Sequence, residues 1–233
     1  MKKLSGKLAL ITGATRGIGA AVAERYAQEG ADLILVGRSY EDLEKMDDRL
    51  ATYNVSVTLT PLDLRQFASI DEMAHKILNR FGKLDVLVGN AAILGLLTPI
   101  VQLPADTWHE VWEINFFANW YLLKAFEPLL QRSEAGRGVF VTTSVTKGVH
   151  PFWSAYSLSK KALEEMILLH VAENTSSSVK INLIDPGEAR TDMHAQAMPG
   201  VDPLTLPTPS EITDLFVQLA SDQLSESGRK FYV

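Results

Sequence analysis

The chain has 233 residues, 46% of them hydrophobic and 21% charged, with 22 basic against 28 acidic side chains and no cysteine. That length can bury a core without disulfide or metal staples, and the absence of cysteine excludes a disulfide framework, a thiolate nucleophile and thiolate metal sites. A formal charge of −6 speaks against a general affinity for polyanions such as nucleic acid. The start is basic, but only Leu8 to Ile11 follow as an apolar run before Thr12 and Gly13. A secretory leader needs roughly 7–15 apolar residues and a membrane span about 18, so a soluble, cytoplasmic protein is expected.

In chain order, Leu8 to Ile11 reads as a buried strand and about 17–29 as a helix, then Asp32 to Val36 as a strand and Tyr40 to Tyr53 as a helix. Val55 to Thr60, Leu84 to Val88, Gly138 to Thr143 and Val179 to Ile184 are further apolar runs; helix-period stretches over 67–81, 107–130 and 155–173 follow the first three. Continuous apolar runs suit strands covered on both faces. Their alternation with helices predicts an α/β fold, a doubly wound parallel sheet of about seven strands with helices on both faces. The proline-bearing stretch with Pro199, Pro203, Pro207 and Pro209 breaks the alternation. It is expected as a long loop without regular structure, so the chain reads as one domain over 1–233 with a substrate lid at about 188–210.

Thr12-Gly13-Ala14-Thr15-Arg16-Gly17-Ile18-Gly19 follows the first strand and opens the first helix. Glycines there let backbone approach a pyrophosphate held at a helix N-terminus. Gly13, Thr15, Arg16, Gly17, Ile18 and Gly19 are therefore candidate cofactor contacts; without a following Gly-Lys-Ser/Thr the turn is not a triphosphate P-loop. A site reading NAD carries an acid at the end of the second strand. Here that strand ends Val36-Gly37-Arg38-Ser39. Arg38, with Arg16, suits a 2′-phosphate, which guanidinium groups hold through forked, charge-assisted hydrogen bonds. NADP(H) is expected over NAD(H).

Tyr156 and Lys160 are four residues apart and share a helical face. A cation beside a phenol, whose unperturbed pKa is about 10, favours the phenolate and brings proton exchange toward neutral pH. Ser144 precedes them at the C-terminal end of a predicted strand, where open α/β sheets place ligands; its hydroxyl suits a substrate oxygen, with Thr143 as the competitor for that role.

With these motifs in place the sequence resembles the short-chain dehydrogenase/reductase family in its single-domain, Rossmann-fold form. Four further segments carry the resemblance: Asp63 with Leu64, Asn90-Ala91-Ala92, Asn115 in Ile114-Asn115-Phe116, and Pro186-Gly187-Glu188-Ala189-Arg190-Thr191. The resemblance implies that Asp63 meets the adenine and that Pro186, Gly187, Ala189 and Thr191 hold the nicotinamide carboxamide. It implies Tyr156 as general acid or base, and Lys160 as the group that lowers the Tyr156 pKa and holds the nicotinamide ribose. It makes Ser144 the carbonyl-orienting hydroxyl and Asn115 the support of a proton relay through Lys160. Gly89, Ala92 and Asp185 depart from the usual pattern, Asp185 bringing a charge toward the nicotinamide.

The sequence stops after the expected last strand, where many members continue. The aromatic helix containing Trp108, Trp112, Phe117 and Trp120 is apolar around its circumference, which predicts a homodimer, with a homotetramer as the alternative. The histidines show no metal-ligand spacing, and no metal is expected. His150, Phe152 and Trp153 are candidates for the substrate wall, and Met193, His194 and Met198 for an adaptable lid lining. The expected function is a hydride exchange between nicotinamide and a small carbonyl or alcohol substrate, with no nucleic-acid or membrane partner. A 3-oxoacyl thioester reductase is the specific alternative. A catalytically silent dinucleotide-binding regulator is the alternative of another class, and retention of both Tyr156 and Lys160 argues against it.

Overall fold

The computed structural model describes residues 2–233. Its elements run β1 (Leu8–Thr12), α1 (Gly17–Gln28), β2 (Asp32–Gly37), α2 (Tyr40–Leu50), β3 (Val57–Pro61), α3 (Phe67–Phe81), β4 (Val86–Gly89), α4 (Ala105–Trp112), α5 (Ala118–Leu130), β5 (Arg137–Val141), α6 (Ser154–Glu173), β6 (Lys180–Asp185), α7 (Asp192–Ala197), α8 (Asp214–Ala220) and β7 (Lys230–Tyr232). Among the described residues the seven strands form one parallel sheet in the order β3-β2-β1-β4-β5-β6-β7. β1 pairs with β2 from Leu8↔Asp32 to Thr12↔Val36 and with β4 on its other edge. The chain direction across the sheet reverses between β1 and β4, and an open α/β sheet has its ligand crevice at that switch.

Two apolar layers explain the continuous strand runs. α1, α2 and α8 cover one face through Val22, Tyr26, Leu43 and Phe216. α3, α5 and α6 cover the other through Ile70, Met73, Phe126, Leu163 and Ile167. All five residues of β1 and of β5 are buried, whereas the edge strand β3 is only half-buried. Arg137 in β5 is also buried; its guanidinium donates to the carbonyls of Gly136, Ser221, Asp222 and Leu224, which ties the segment after α8 to the sheet.

Three predicted elements need correction. The helix expected over 40–53 ends at Leu50 and closes with a 3₁₀ turn, Ala51–Tyr53, before Asn54 in the left-handed region (φ 53°). The helix expected over 107–130 begins at Ala105 and is divided by a π-helical turn, Glu113–Phe117. The apolar periodicity passes through that turn unchanged, so the sequence pattern does not reveal it. The stretch expected as an irregular lid contains α7 and 3₁₀ turns at Pro203–Thr205 and Pro209–Ile212. Arg190 holds it folded, donating to the carbonyls of Pro203 at 2.7 Å and Leu206 at 3.1 Å while its own N–H bonds the Pro207 carbonyl at 2.9 Å.

Candidate active site

The C-terminal ends of β1, β2, β4, β5 and β6 open onto one cleft of about 710 Å³. At one end lies the glycine turn. Gly13 and Gly17 have φ of 64° and 54°, a region that disfavours side chains. Gly19 is absent from the cleft wall and acts by packing: a Cβ there would stand 2.1 Å from the Gly13 carbonyl and 2.5 Å from the Asn90 amide. Arg16 caps α1 without a side-chain bond and the first turn carries no acid, so the helix N–H groups stay available to an anion. The turn is further clamped by Thr12, which sequence reasoning overlooked. Its hydroxyl accepts from the Asn90 and Ala91 N–H groups at 3.0 and 3.1 Å, while Asn90 Nδ2 donates to the Thr12 carbonyl at 2.9 Å. A buried hydroxyl at the last residue of β1 was its only signal.

Arg38 is exposed at the cleft wall, and exposed Arg16 lies 3.7 Å from Asp192. Their placement at a glycine-turn cradle fits a dinucleotide bearing an extra phosphate. Ser39 differs from expectation: its hydroxyl accepts the Asp42 N–H at 3.1 Å as the cap of α2, and it is not among the lining residues. Asp63 lines the cleft with Leu64, but Arg65, also overlooked, grips both its oxygens and extends to Glu110 at 3.2 Å. That fork, and the nearby charge of Arg38, hold the Asp63 carboxyl below the usual range. The i, i+2 spacing of Asp63 and Arg65 was the available signal.

At the other end, α6 presents Tyr156 and Lys160 to the cleft. The Lys160 ammonium donates to the Val141 carbonyl at 2.7 Å, and burial lowers its pKa to about 8. Burial and the charge of Asp185 push the Tyr156 phenol up to about 12, with the Thr143 hydroxyl drawing it partly back. This corrects the expected lowering of the phenol pKa by Lys160, because in this arrangement desolvation and a carboxylate dominate. Thr143 is half-buried beside Tyr156, whereas Ser144 is exposed and opens a 3₁₀ turn; both line the cleft. Asp185 is 3% exposed and its Oδ2 has no hydrogen-bond partner, while Oδ1 accepts from the Gly187 N–H at 3.1 Å.

Asn115 sits in the π-helical turn, a device common at functional sites. It is fully buried and away from the cleft wall: its carboxamide exchanges two 2.9 Å bonds with the backbone of Ile93 and donates to Ser159 Oγ at 3.2 Å. The side chain expected to support a relay is thus engaged in joining the loop after β4 to α6. Ala91, Ala92, Pro186, Gly187, Ala189 and Thr191 line the cleft as expected. So do His150, Trp153, Met193, His194 and Met198, and Trp153 packs edge-on to Tyr156 at 5.9 Å. Phe152 does not line it and is 56% exposed.

A glycine cradle at the sheet's switch point, joined by one cleft to a half-buried tyrosine and its buried lysine partner, defines the class of dinucleotide-dependent oxidoreductases. Residues 7–201 match the short chain dehydrogenase family, and the chain belongs to that family, an NAD(P)-dependent oxidoreductase. It is 35% identical to the Escherichia coli oxidoreductase YciK over 97% of this chain and 90% of that one. A Salmonella enterica serovar Typhi short chain dehydrogenase superposes with a TM-score of 0.96 at 34% identity, covering 99% and 97% of the two chains. A related structure from E. coli CFT073, solved in complex with NADPH, gives a TM-score of 0.95 at 33% identity over 99% and 98%.

Proposed function

We propose that this chain is an NADP(H)-dependent reductase of small carbonyl compounds, with the reverse alcohol oxidation. The observation that carries the reading is the Tyr156–Lys160 pair of α6, the lysine buried and the tyrosine half-buried, in the same cleft that the glycine turn and Arg38 enter from the other end. Arg38 where an NAD site carries an acid supports the phosphorylated cofactor, as do relatives crystallised with NADPH and with NADP.

When bound, the nicotinamide dinucleotide supplies the hydride for the carbonyl carbon or takes it from the alcohol. The chain's own residues handle the oxygen. With its pKa near 12, the Tyr156 phenol is protonated at neutral pH and serves as the acid that protonates the carbonyl oxygen. The hydroxyl of Thr143 hydrogen-bonds the same oxygen, a role the sequence pattern assigned to Ser144. Lys160, anchored on Val141, keeps two further N–H donors for the nicotinamide ribose. Gly13, Thr15, Arg16, Gly17 and Ile18 receive the pyrophosphate side, Asp63 and Leu64 the adenine, and Pro186 to Thr191 the carboxamide. Asn115 acts by positioning α6. We read the chain as one domain with α7 and its flanking turns as the substrate lid, and as a homodimer through α5 and α6.

The test is a panel of aldehydes and ketones assayed for NADPH oxidation, with the Tyr156→Phe protein as the blank. Turnover by the parent and not by the variant is expected; equal turnover by both overturns the reading.

A further inference from the structure

Lys230 opens β7, the edge strand of the sheet, where a lysine is ordinarily left in water. Here its side chain is 15% exposed. The ammonium donates to the Thr143 carbonyl at 2.9 Å, to Thr146 Oγ1 at 3.0 Å and to Glu164 Oε1 at 2.7 Å. An ammonium has three donors, so these contacts use all of them, and Asp185 Oδ2, 3.9 Å away, is left with the charge but no hydrogen bond.

Of the three acceptors Thr143 lines the cleft, and Thr146 and Glu164 lie behind it on the turn and helix that carry the site. Thr143 carries the hydroxyl beside Tyr156, and its carbonyl also accepts from Thr146 Oγ1 at 2.8 Å. Glu164 follows Tyr156 and Lys160 at successive four-residue steps of α6, hence on the same helical stripe. Its Oε1 also accepts from the hydroxyl of Thr142 and lies 2.8 Å from Thr146 Oγ1, whose one proton is shared between it and the Thr143 carbonyl. One ammonium therefore joins the turn after β5 to the catalytic stripe of α6 from beneath.

We propose that Lys230 is a positioning residue of the active site: its ammonium ties the backbone of Thr143 to the Tyr156 face of α6 and so fixes the spacing between the phenol and the hydroxyl opposite it. The proposal rests on the reading of Tyr156 given above. Without the ammonium, Glu164 loses its salt-bridge partner and keeps only the charge of Lys160, one turn back on α6, Asp185 loses the cation 3.9 Å away, and the Thr143 carbonyl loses its charged donor. The turn is then free to move away from α6. Misplacement by about 1 Å costs catalysis on the order of a hundredfold.

The experiment compares full-length parent, Lys230→Met and Lys230→Arg proteins, with benzaldehyde and NADPH as the probes. Lys230→Met is expected to lower kcat about tenfold to a hundredfold while KM for benzaldehyde and the NADPH dissociation constant stay within about threefold. Amide hydrogen exchange over residues 143–147, followed by mass spectrometry, is expected to speed up in the same variant. Lys230→Arg, which keeps the charge and donors, should recover most of both. A folded Lys230→Met protein with parental kcat and parental exchange at 143–147, and only a lower Tm, makes Lys230 a structural strap and overturns the proposal. If Lys230→Met does not fold, Glu164→Gln, which keeps an acceptor oxygen but removes the attraction, reads the same contact, and parental kcat and exchange there overturn it. If the parent reduces no carbonyl, the proposed function fails, while the exchange measurement still decides whether Lys230 holds Thr143.

Discussion

The Lys160 ammonium rests on the main-chain carbonyl of Val141, 2.7 Å away, at the point where β5 gives way to the turn that carries Thr143. The Lys160 cation is thus fixed by backbone, and burial lowers its pKa to about 8.

The pH dependence of carbonyl reduction follows from this. Lys160 is charged below about pH 8 and loses its proton as pH rises through that value, while Tyr156, raised to about 12, stays protonated throughout. The rate is expected to be level at lower pH and to fall by about tenfold per unit above the Lys160 pKa. Lys160→Met should lower the plateau, weaken NADPH binding and remove that limb. Profiles of kcat/KM from about pH 6 to about pH 10 check it; a limb that persists in Lys160→Met assigns it to another group.

Two adjacent hydroxyls separate cleanly by mutation. Thr143→Ala is expected to lose roughly 10²-fold in kcat, the size of a lost transition-state hydrogen bond, and Ser144→Ala less than about threefold. Steady-state kinetics of the two variants decide; the reverse order returns the role to Ser144.

Cofactor choice turns on Arg38. A hydrogen bond to a charged partner contributes about 1.5–3 kcal/mol, so one arginine–phosphate contact predicts roughly a 10–150-fold preference for NADPH over NADH. Arg38 is exposed, so dissociation constants belong near physiological ionic strength. Arg38→Asp should reverse the order, because the carboxylate repels the phosphate and accepts from a free 2′-hydroxyl. Equal constants in the parent protein refute the assignment.

The outer face of the α5 region leaves Phe117 and Trp120 each 41% exposed, and Leu168 and Leu169 of α6 are 41% and 55% exposed. Apolar surface of this kind suits an isologous contact. Sedimentation is expected to give a dimer at micromolar concentration, and Trp120→Glu a larger monomer fraction. A monomeric parent would end this reading.

What the sequence determined by itself is the part governed by short range. The strand–glycine turn–helix boundary, the missing acid before Ser39, and the Tyr156–Lys160 pair each lie within about one or two helical turns, where spacing fixes geometry. The order of the alternating apolar runs then left a doubly wound parallel sheet as the consistent arrangement.

The tertiary structure decided everything that joins distant segments. Which hydroxyl sits beside Tyr156 depends on where β5 ends: Thr143 is still extended and half-buried, and Ser144 is exposed at the start of the 3₁₀ turn. Asn115 reaches Ile93 and Ser159 because a π-helical turn re-aims it, a change invisible in the apolar period. The Tyr156 pKa rises because the fold takes the phenol out of water and because β6 brings the buried carboxylate of Asp185 toward it. Lys230 meets Thr143 across 87 residues of sequence. Such contacts obey no periodicity; they exist only once the sheet brings its strand ends together, and there the low dielectric makes each charge and hydroxyl count for more than its position in the chain suggests.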